Sequence, residues 1–241
     1  MVVSCFVHFS LFSFQMLRDD TRSKIKNITS GAILTGQQDT CTTVRNLLCT
    51  SFATSTTVKE DFEGKAIVKE EQVLFLDEHI RQHNLWITDL PGEDRFLTRG
   101  GEARVYLDRD NKNVIKLNDA VYYATWLEFF NSILLHNLIF ENTKYDLTGF
   151  FKEDANLHAV LKQPFVKSDS QVDLADVKAL LEFNGFVNIR RNDYQHKGLG
   201  LILEDMHDEN VLVNSETLFF IDTVFYTVAT DISSTKQKRT D

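Results

Sequence analysis

The chain has 241 residues, of which 43% are hydrophobic and 25% charged, an ordinary composition for a globular protein of one or two lobes. Its net charge of −9 argues against a nucleic-acid partner, because no surplus of Lys and Arg is present to neutralise phosphates. Cys5, Cys41 and Cys49 are odd in number and lack C-x-x-C spacing, which fits neither a disulfide framework nor a zinc site and points to a reducing cytoplasm.

The N-terminus, MVVSCFVHFSLFSFQML, carries no charge before Arg18. It falls short of the roughly 20 residues that a spanning helix needs and has no positive leader region. A weak membrane association, a buried strand and a plain extension all stay open for it. Residues 19–58 are rich in Ser and Thr with scattered apolar residues, so residues 1–60 are expected to form a mostly irregular extension. From Lys65 onward Ile67, Val68, Val73, Leu74, Leu76 and Ile80 recur at three- and four-residue steps, predicting a helix over 66–83. His79 and His83 lie one turn apart on it, but the Glu of H-E-x-x-H is missing, so they read as surface residues. Pro91-Gly92 marks a turn.

From about residue 96 the texture changes. FLTRGG, ARVYLDRD and NKNVIKLN predict a strand, a glycine turn, a strand, a hairpin at Asp110-Asn111 and another strand. Val121–Phe140 is apolar and aromatic, predicting a buried helix. AVLKQPFV (159–166) reads as a strand broken at Pro164, and LADVKALLEFNGF as a helix closed by Gly185. Short strands and a charged tail follow. With no internal repeat and no regular βαβ alternation, the fold class expected is α+β.

Residues 201–222, LILEDMHDENVLVNSETLFFID, set acids, a His and an Asn between apolar runs. A solvated hairpin turn is one reading, yet a turn needs none of this spacing. Asp205 and Asn210 are five apart, and Asp222 lies twelve beyond Asn210. Phosphoryl transfer from ATP requires a carboxylate for the attacking hydroxyl and two oxygen ligands for Mg²⁺. A loop carrying Asp and Asn, with a hairpin returning a second Asp to the same mouth, supplies all three.

D-x-H-x-x-N followed by an apolar strand ending I-D resembles the catalytic loop and metal-binding Asp of the protein-kinase-like superfamily. The His two residues after the Asp looks like the aminoglycoside-phosphotransferase branch, whose members act on small molecules. The resemblance implies Asp205 as catalytic Asp, His207 near the transferring phosphate, and Asn210 and Asp222 as Mg²⁺ ligands. Upstream it implies phosphate contacts at Gly100-Gly101, with Val105 opening the strand after the glycine turn. Lys116 then stands in V-I-K, close to V-A-I-K. Glu128, a lone acid on the apolar helix, is the expected partner of Lys116, since an unpaired carboxylate there is costly. KQPFV would join two lobes, with backbone groups around Gln163–Phe165 meeting adenine.

The order G-G-E-A-R-V-Y, V-I-K-L-N, Y-Y-A-T-W-L-E-F, K-Q-P-F-V, E-D-M-H-D-E-N-V-L and F-I-D-T is similar to the polyvalent protein kinases of bacterial mobile elements and phages, over about 65–228. That resemblance implies an N-lobe over 61–165, a minimal C-lobe over 166–232 and a tail over 233–241. Three departures stand out. Thr98 and Ala103 replace the outer glycines of G-x-G-x-x-G-x-V; Leu203 stands where protein kinases have His; Thr223-Val224 replaces Phe-Gly after Asp222. Only 19 residues follow Asp222, too few for the activation segment and helices that receive a peptide. The function expected is ATP- and Mg²⁺-dependent transfer of the γ-phosphoryl group to a hydroxyl on an unknown protein or small-molecule acceptor. A pseudokinase or binding module without turnover, and AMP transfer on the same scaffold, remain alternatives; the oligomeric state is open.

Overall fold

A computed structural model describes residues 17–36, 39–52, 62–101 and 103–228. The expectations for the apolar N-terminus and for the 233–241 tail therefore lie outside the described residues. Within the described part of 19–58, two helices replace the expected irregular stretch. Helix α1 (Asp19–Thr29) opens on Asp19 and Asp20 and buries Ile25 and Ile28. Helix α2 (Thr40–Ser51) is capped by Asp39, whose carboxylate accepts the Thr42 N–H at 2.8 Å, and it buries Cys41, Val44 and Leu48. These apolar residues recur at helical steps of three and four. The abundance of Ser and Thr conceals the stripe because both residues also suit caps and turns.

Helix α3 (Phe62–Gln82) covers the expected helix and begins four residues earlier than 66. It ends where Asn84 adopts a left-handed conformation, φ 54°, and the Leu85 N–H reaches back to Ile80 O at 2.9 Å, a common helix-terminating turn. The rings of His79, in its last turn, and His83, just past its end, lie 4.0 Å apart and tilted by 31°.

An antiparallel sheet of five strands follows, in the order β1-β2-β3-β5-β4. The strands are β1 (Phe96–Arg99), β2 (Ala103–Leu107), β3 (Asn113–Asn118), β4 (Asp146–Glu153) and β5 (Asn156–Pro164). Helix α4 (Trp126–Ile139) crosses from β3 to β4 and is buried nearly all round. It begins five residues later than the expected Val121. Asn118 Oδ1 accepts the Ala120 N–H and Asp119 Oδ1 accepts the Val121 N–H, which holds that stretch in a turn. Thr125 then caps the helix through the Glu128 N–H. α1, α2, α3 and the strand Val224–Thr227 all pack against α4. Each fully buried Phe or Leu contributes about 2 kcal/mol over an exposed one, and α4 alone supplies Phe129, Phe130, Leu134 and Leu135.

Arg45 ties the N-terminal helices to this core. Its guanidinium is fully buried and donates to Asn131 Oδ1 on α4 at 2.9 Å, to Ile28 O at 3.3 Å and to Ala32 O. Burial lowers its pKa from the ordinary value.

The second lobe is small. Helix α5 (Leu174–Phe183) starts at the Asp173 cap and is closed by Gly185 at φ 86°, a conformation that glycine adopts without strain. Strands β6 (Val187–Arg190), β7 (Asp193–His196), β8 (Leu201–Glu204) and β11 (Val224–Thr227) form an antiparallel sheet in the order β11-β8-β7-β6. The hairpin β9 (Val211–Asn214) and β10 (Thr217–Phe220) stands between β8 and β11 in sequence. The whole is α+β and two-lobed, with a minimal C-terminal lobe. No described helix is long and apolar enough to cross a membrane.

Candidate functional site

Strand pairing decides which side chains of the first sheet face the joint between the lobes. Val105 lies opposite Lys116, and Lys116 opposite Leu161, while Val114 lies opposite Gln163. Directly opposed residues share a face, and alternate residues along a strand return to it. Val105, Lys116 and Gln163 therefore share one face of the sheet. The other face buries Tyr106, Ile115, Leu117 and Val160 in a separate apolar cluster.

Lys116 is buried, 5% exposed. Its ammonium donates to Ile221 O at 2.8 Å and to Tyr145 Oη at 3.4 Å, and lies 3.6 Å from Asp222 Oδ2. Its ion-pair partner is thus Asp222, not the Glu128 expected from sequence. Glu128 sits in the first turn of α4, where its Oε2 accepts the Ala124 N–H at 3.1 Å, and a carboxylate suits a helix N-terminus.

Across the joint, the loop after β8 assembles Asp205, His207 and Asn210. Met206, 1% exposed, anchors the loop in the core, and its N–H donates to Asn192 O at 3.0 Å. Asp205 adopts a left-handed backbone, φ 66°, an uncommon state for a residue other than glycine and one found at functional sites. Asn210 Nδ2 donates to Asp205 O at 2.8 Å and to Asp205 Oδ2 at 3.2 Å. His207 Nε2 lies 3.3 Å from Asp205 Oδ1, and His207 Nδ1 accepts the Glu209 N–H at 3.2 Å. The β9–β10 hairpin then carries the chain back, and Asn210 O accepts the N–H of Ile221 at 3.0 Å and of Asp222 at 3.4 Å. Asp205, His207, Asn210, Asp222 and Lys116 therefore meet at one mouth, although they come from both lobes.

The remaining expected residues are placed as follows. Gly100 N–H donates to Ala103 O at 2.9 Å and makes the β1–β2 turn. Gly101 faces Tyr122: a Cβ at this position would stand 1.9 Å from Tyr122 Oη, so only glycine lets that hydroxyl approach. Gln163 is buried and donates from Nε2 to Thr143 O at 2.8 Å. The Phe165 N–H is taken by Lys112 O at 2.8 Å. The chain from Lys167 to Asp169 runs along the β9–β10 hairpin, with Asp169 N–H on Val213 O and Asn214 Nδ2 on Lys167 O.

Sequence reasoning gave no role to Tyr145 or His136, and met Thr223 only as a departure from the kinase pattern. Tyr145 Oη donates to Ile221 O at 2.7 Å, and His136 Nδ1 meets Thr223 Oγ1 at 2.7 Å. A signal for His136 existed: it is the one imidazole in a largely apolar helix, and a buried imidazole needs partners. Burial, together with the nearby Lys116 charge, holds its pKa down to about 3 although a hydrogen bond to Thr143 O opposes the shift.

Asn210 and Asp222 offer an amide oxygen and a carboxylate, hard ligands of the kind Mg²⁺ takes. Among the described residues no group of three or more His, Cys, Asp or Glu is gathered into a self-sufficient metal cage. Mg²⁺ in phosphate chemistry is ordinarily held by one or two carboxylates plus the substrate's phosphates, so the donor set fits that use. A family model described as Serine/Threonine/Tyrosine Kinase found in polyvalent proteins matches residues 69–229, well over half of the chain. No curated protein matches it.

Proposed function

Because the chain belongs to the Serine/Threonine/Tyrosine kinase family found in polyvalent proteins, we propose that it is an ATP- and Mg²⁺-dependent phosphotransferase acting on a hydroxyl. The observation that carries this reading is the 3.6 Å approach of Lys116 to Asp222. One cation and one metal-type carboxylate from different lobes meet at the mouth that also holds Asp205 and Asn210.

Lys116 holds the α- and β-phosphates, and Asn210 and Asp222 hold Mg²⁺, which when bound neutralises phosphate charge. Asp205 orients the acceptor hydroxyl and takes its proton as the oxygen bonds to the γ-phosphorus. The bond from that phosphorus to the bridging oxygen breaks, and ADP leaves. His207, 3.3 Å from Asp205, steadies that carboxylate. Gly100 and Gly101 border the phosphates, Val105 flanks the nucleotide on the Lys116 face, and adenine meets the backbone at Gln163–Phe165. With the Phe165 N–H engaged by Lys112 O, carbonyl oxygens carry that contact. Catalysis is positioning and charge stabilisation, with little other chemistry for the protein to do. A cytoplasmic location suits both ATP and the free thiols of Cys41 and Cys49.

The test uses ATP labelled at the γ- or the α-phosphate, with Mg²⁺ and a panel of Ser, Thr, Tyr and aminosugar acceptors. Transfer of the γ-label, lost by about 10²- to 10⁴-fold in Asp205→Asn, is the expected result. Transfer of the α-label would instead mean AMP transfer, and no transfer of either label would leave a binding module.

A further inference from the structure

The Asp222 side chain is 37% exposed, and its own N–H makes only a long contact, 3.4 Å, to Asn210 O. Its neighbours are held far more firmly. On one side, Ile221 O accepts from both Tyr145 Oη at 2.7 Å and Lys116 Nζ at 2.8 Å. On the other, Thr223 Oγ1 meets His136 Nδ1. His136 Nε2 lies 2.9 Å from Thr143 O, and a backbone carbonyl can only accept, so Nε2 carries the proton and Nδ1 accepts from the Thr223 hydroxyl. The same Thr143 carbonyl accepts from Gln163 Nε2 at the end of β5. His136, Thr143, Gln163 and Thr223 are all buried. One turn earlier on α4, Ser132 Oγ accepts the Phe225 N–H at 2.9 Å and the Tyr123 hydroxyl at 2.9 Å. Ser132 and His136 are four apart and share a face of the helix, so α4 pegs the chain after Asp222 at two points, Thr223 and Phe225.

We propose that His136 is a positioning residue for the metal site: through Thr223 it sets where the Asp222 carboxylate stands, and so couples α4 and the end of β5 to that carboxylate. The inference rests on the phosphotransferase reading for what Asp222 does, but not for the peg itself. An apolar residue at 136 would fill the same space and leave the Thr223 hydroxyl buried without an acceptor. A buried donor or acceptor left unpaired is costly, which is why the peg has one register.

The test is Thr223→Val, which keeps the side-chain size and removes the donor, beside Thr223→Ser, which retains it. Two readouts are taken on the full chain: hydrogen–deuterium exchange over residues 218–226 without nucleotide, and calorimetric titration of ATP with and without Mg²⁺. Thr223→Val is expected to speed exchange in that segment about tenfold and to raise the Mg²⁺ concentration needed for ATP binding by a similar factor. Binding of ATP without metal stays unchanged, and Thr223→Ser restores both readouts. Wild-type behaviour of Thr223→Val overturns the proposal, as does faster exchange throughout the domain that Thr223→Ser fails to rescue. If the wild type shows no metal-dependent ATP binding, the phosphotransferase reading falls, while the exchange comparison still decides whether the peg exists.

Discussion

The two halves of the mouth are built differently. Lys116, His136 and Thr223 are almost wholly buried, held by hydrogen bonds between α4, β3 and the connection around Asp222. Asp205 and His207 have side chains 60% and 28% exposed, on a loop held by its own polar contacts, one core Met and a left-handed Asp205. The difference teaches where adjustment can occur. Close packing leaves the buried half one geometry, whereas the exposed half can accommodate acceptors of different shape. On the proposed reading, the nucleotide phosphates belong to the rigid half and the acceptor to the open one, while the metal lies between them, shared by Asp222 and by Asn210 of the loop.

The largest expected effect breaks the rigid half directly. Lys116→Met should lower phosphoryl transfer by about 10²- to 10³-fold, the usual scale for one preorganised charge. Asp208→Ala, on the exposed loop, should stay within about twofold. A steady-state assay of both variants reads the contrast.

Next is Arg45→Met. It strips donors from Asn131 Oδ1, Ile28 O and Ala32 O and should cost about 3 kcal/mol of stability in urea denaturation, as expected for a broken buried polar network. The loss would show that α1 and α2 belong to the same cooperative core as α4. A variant as stable as wild type would place those helices outside it.

The third effect is a pH dependence. The folded His136 imidazole resists protonation down to about 3, from an ordinary 6.5, through burial and then Lys116; Lys116 and Tyr145 are the ionisable groups beside it. As pH falls through 6.5 the unfolded chain takes up a proton that the folded chain refuses. Stability is therefore complete above about 6.5 and declines as pH drops toward 3, by roughly 1.4 kcal/mol per unit in the steep region. Between pH 7 and 5 the wild type should lose roughly 2 kcal/mol more than His136→Gln, measured by urea titration at each pH.

The smallest effect tests the glycine turn. Gly101→Ala must displace the Tyr122 hydroxyl, but Tyr122 is half exposed and can swing away, so stability should change by less than about 1 kcal/mol. Melting temperatures of Gly101→Ala and of Gly101→Ala with Tyr122→Ala should then nearly coincide.

Much of the fold was legible because local chemistry and tertiary packing agree. The apolar steps of α3, the Asp110-Asn111 hairpin, Pro164 at the end of β5 and Gly185 after α5 all mark elements that form. The return of Asp222 beside Asn210 followed from hairpin logic alone. What failed was long-range. α1 and α2 owe their stability to α4 and to Arg45, a partner 86 residues from Asn131, and their Ser- and Thr-rich surfaces gave no hint of it. Strand β4 was missed because DLTGFFKE shows neither clean alternation nor a turn signal. The Lys116 partner was misassigned because two carboxylates, Glu128 and Asp222, were available, and sequence spacing does not report which lies nearer. His136 and Thr223 are 87 apart, so their pairing leaves no local trace.

The central claim, that the Lys116–Asp222 mouth is a metal-dependent nucleotide site, is tested most directly by calorimetric ATP binding with and without Mg²⁺, for wild type and Asp222→Ala. The account predicts binding by the wild type that Mg²⁺ strengthens, and loss of that metal dependence in Asp222→Ala. Absence of binding by the wild type at millimolar ATP, or Mg²⁺-dependent binding that survives the substitution, would contradict it.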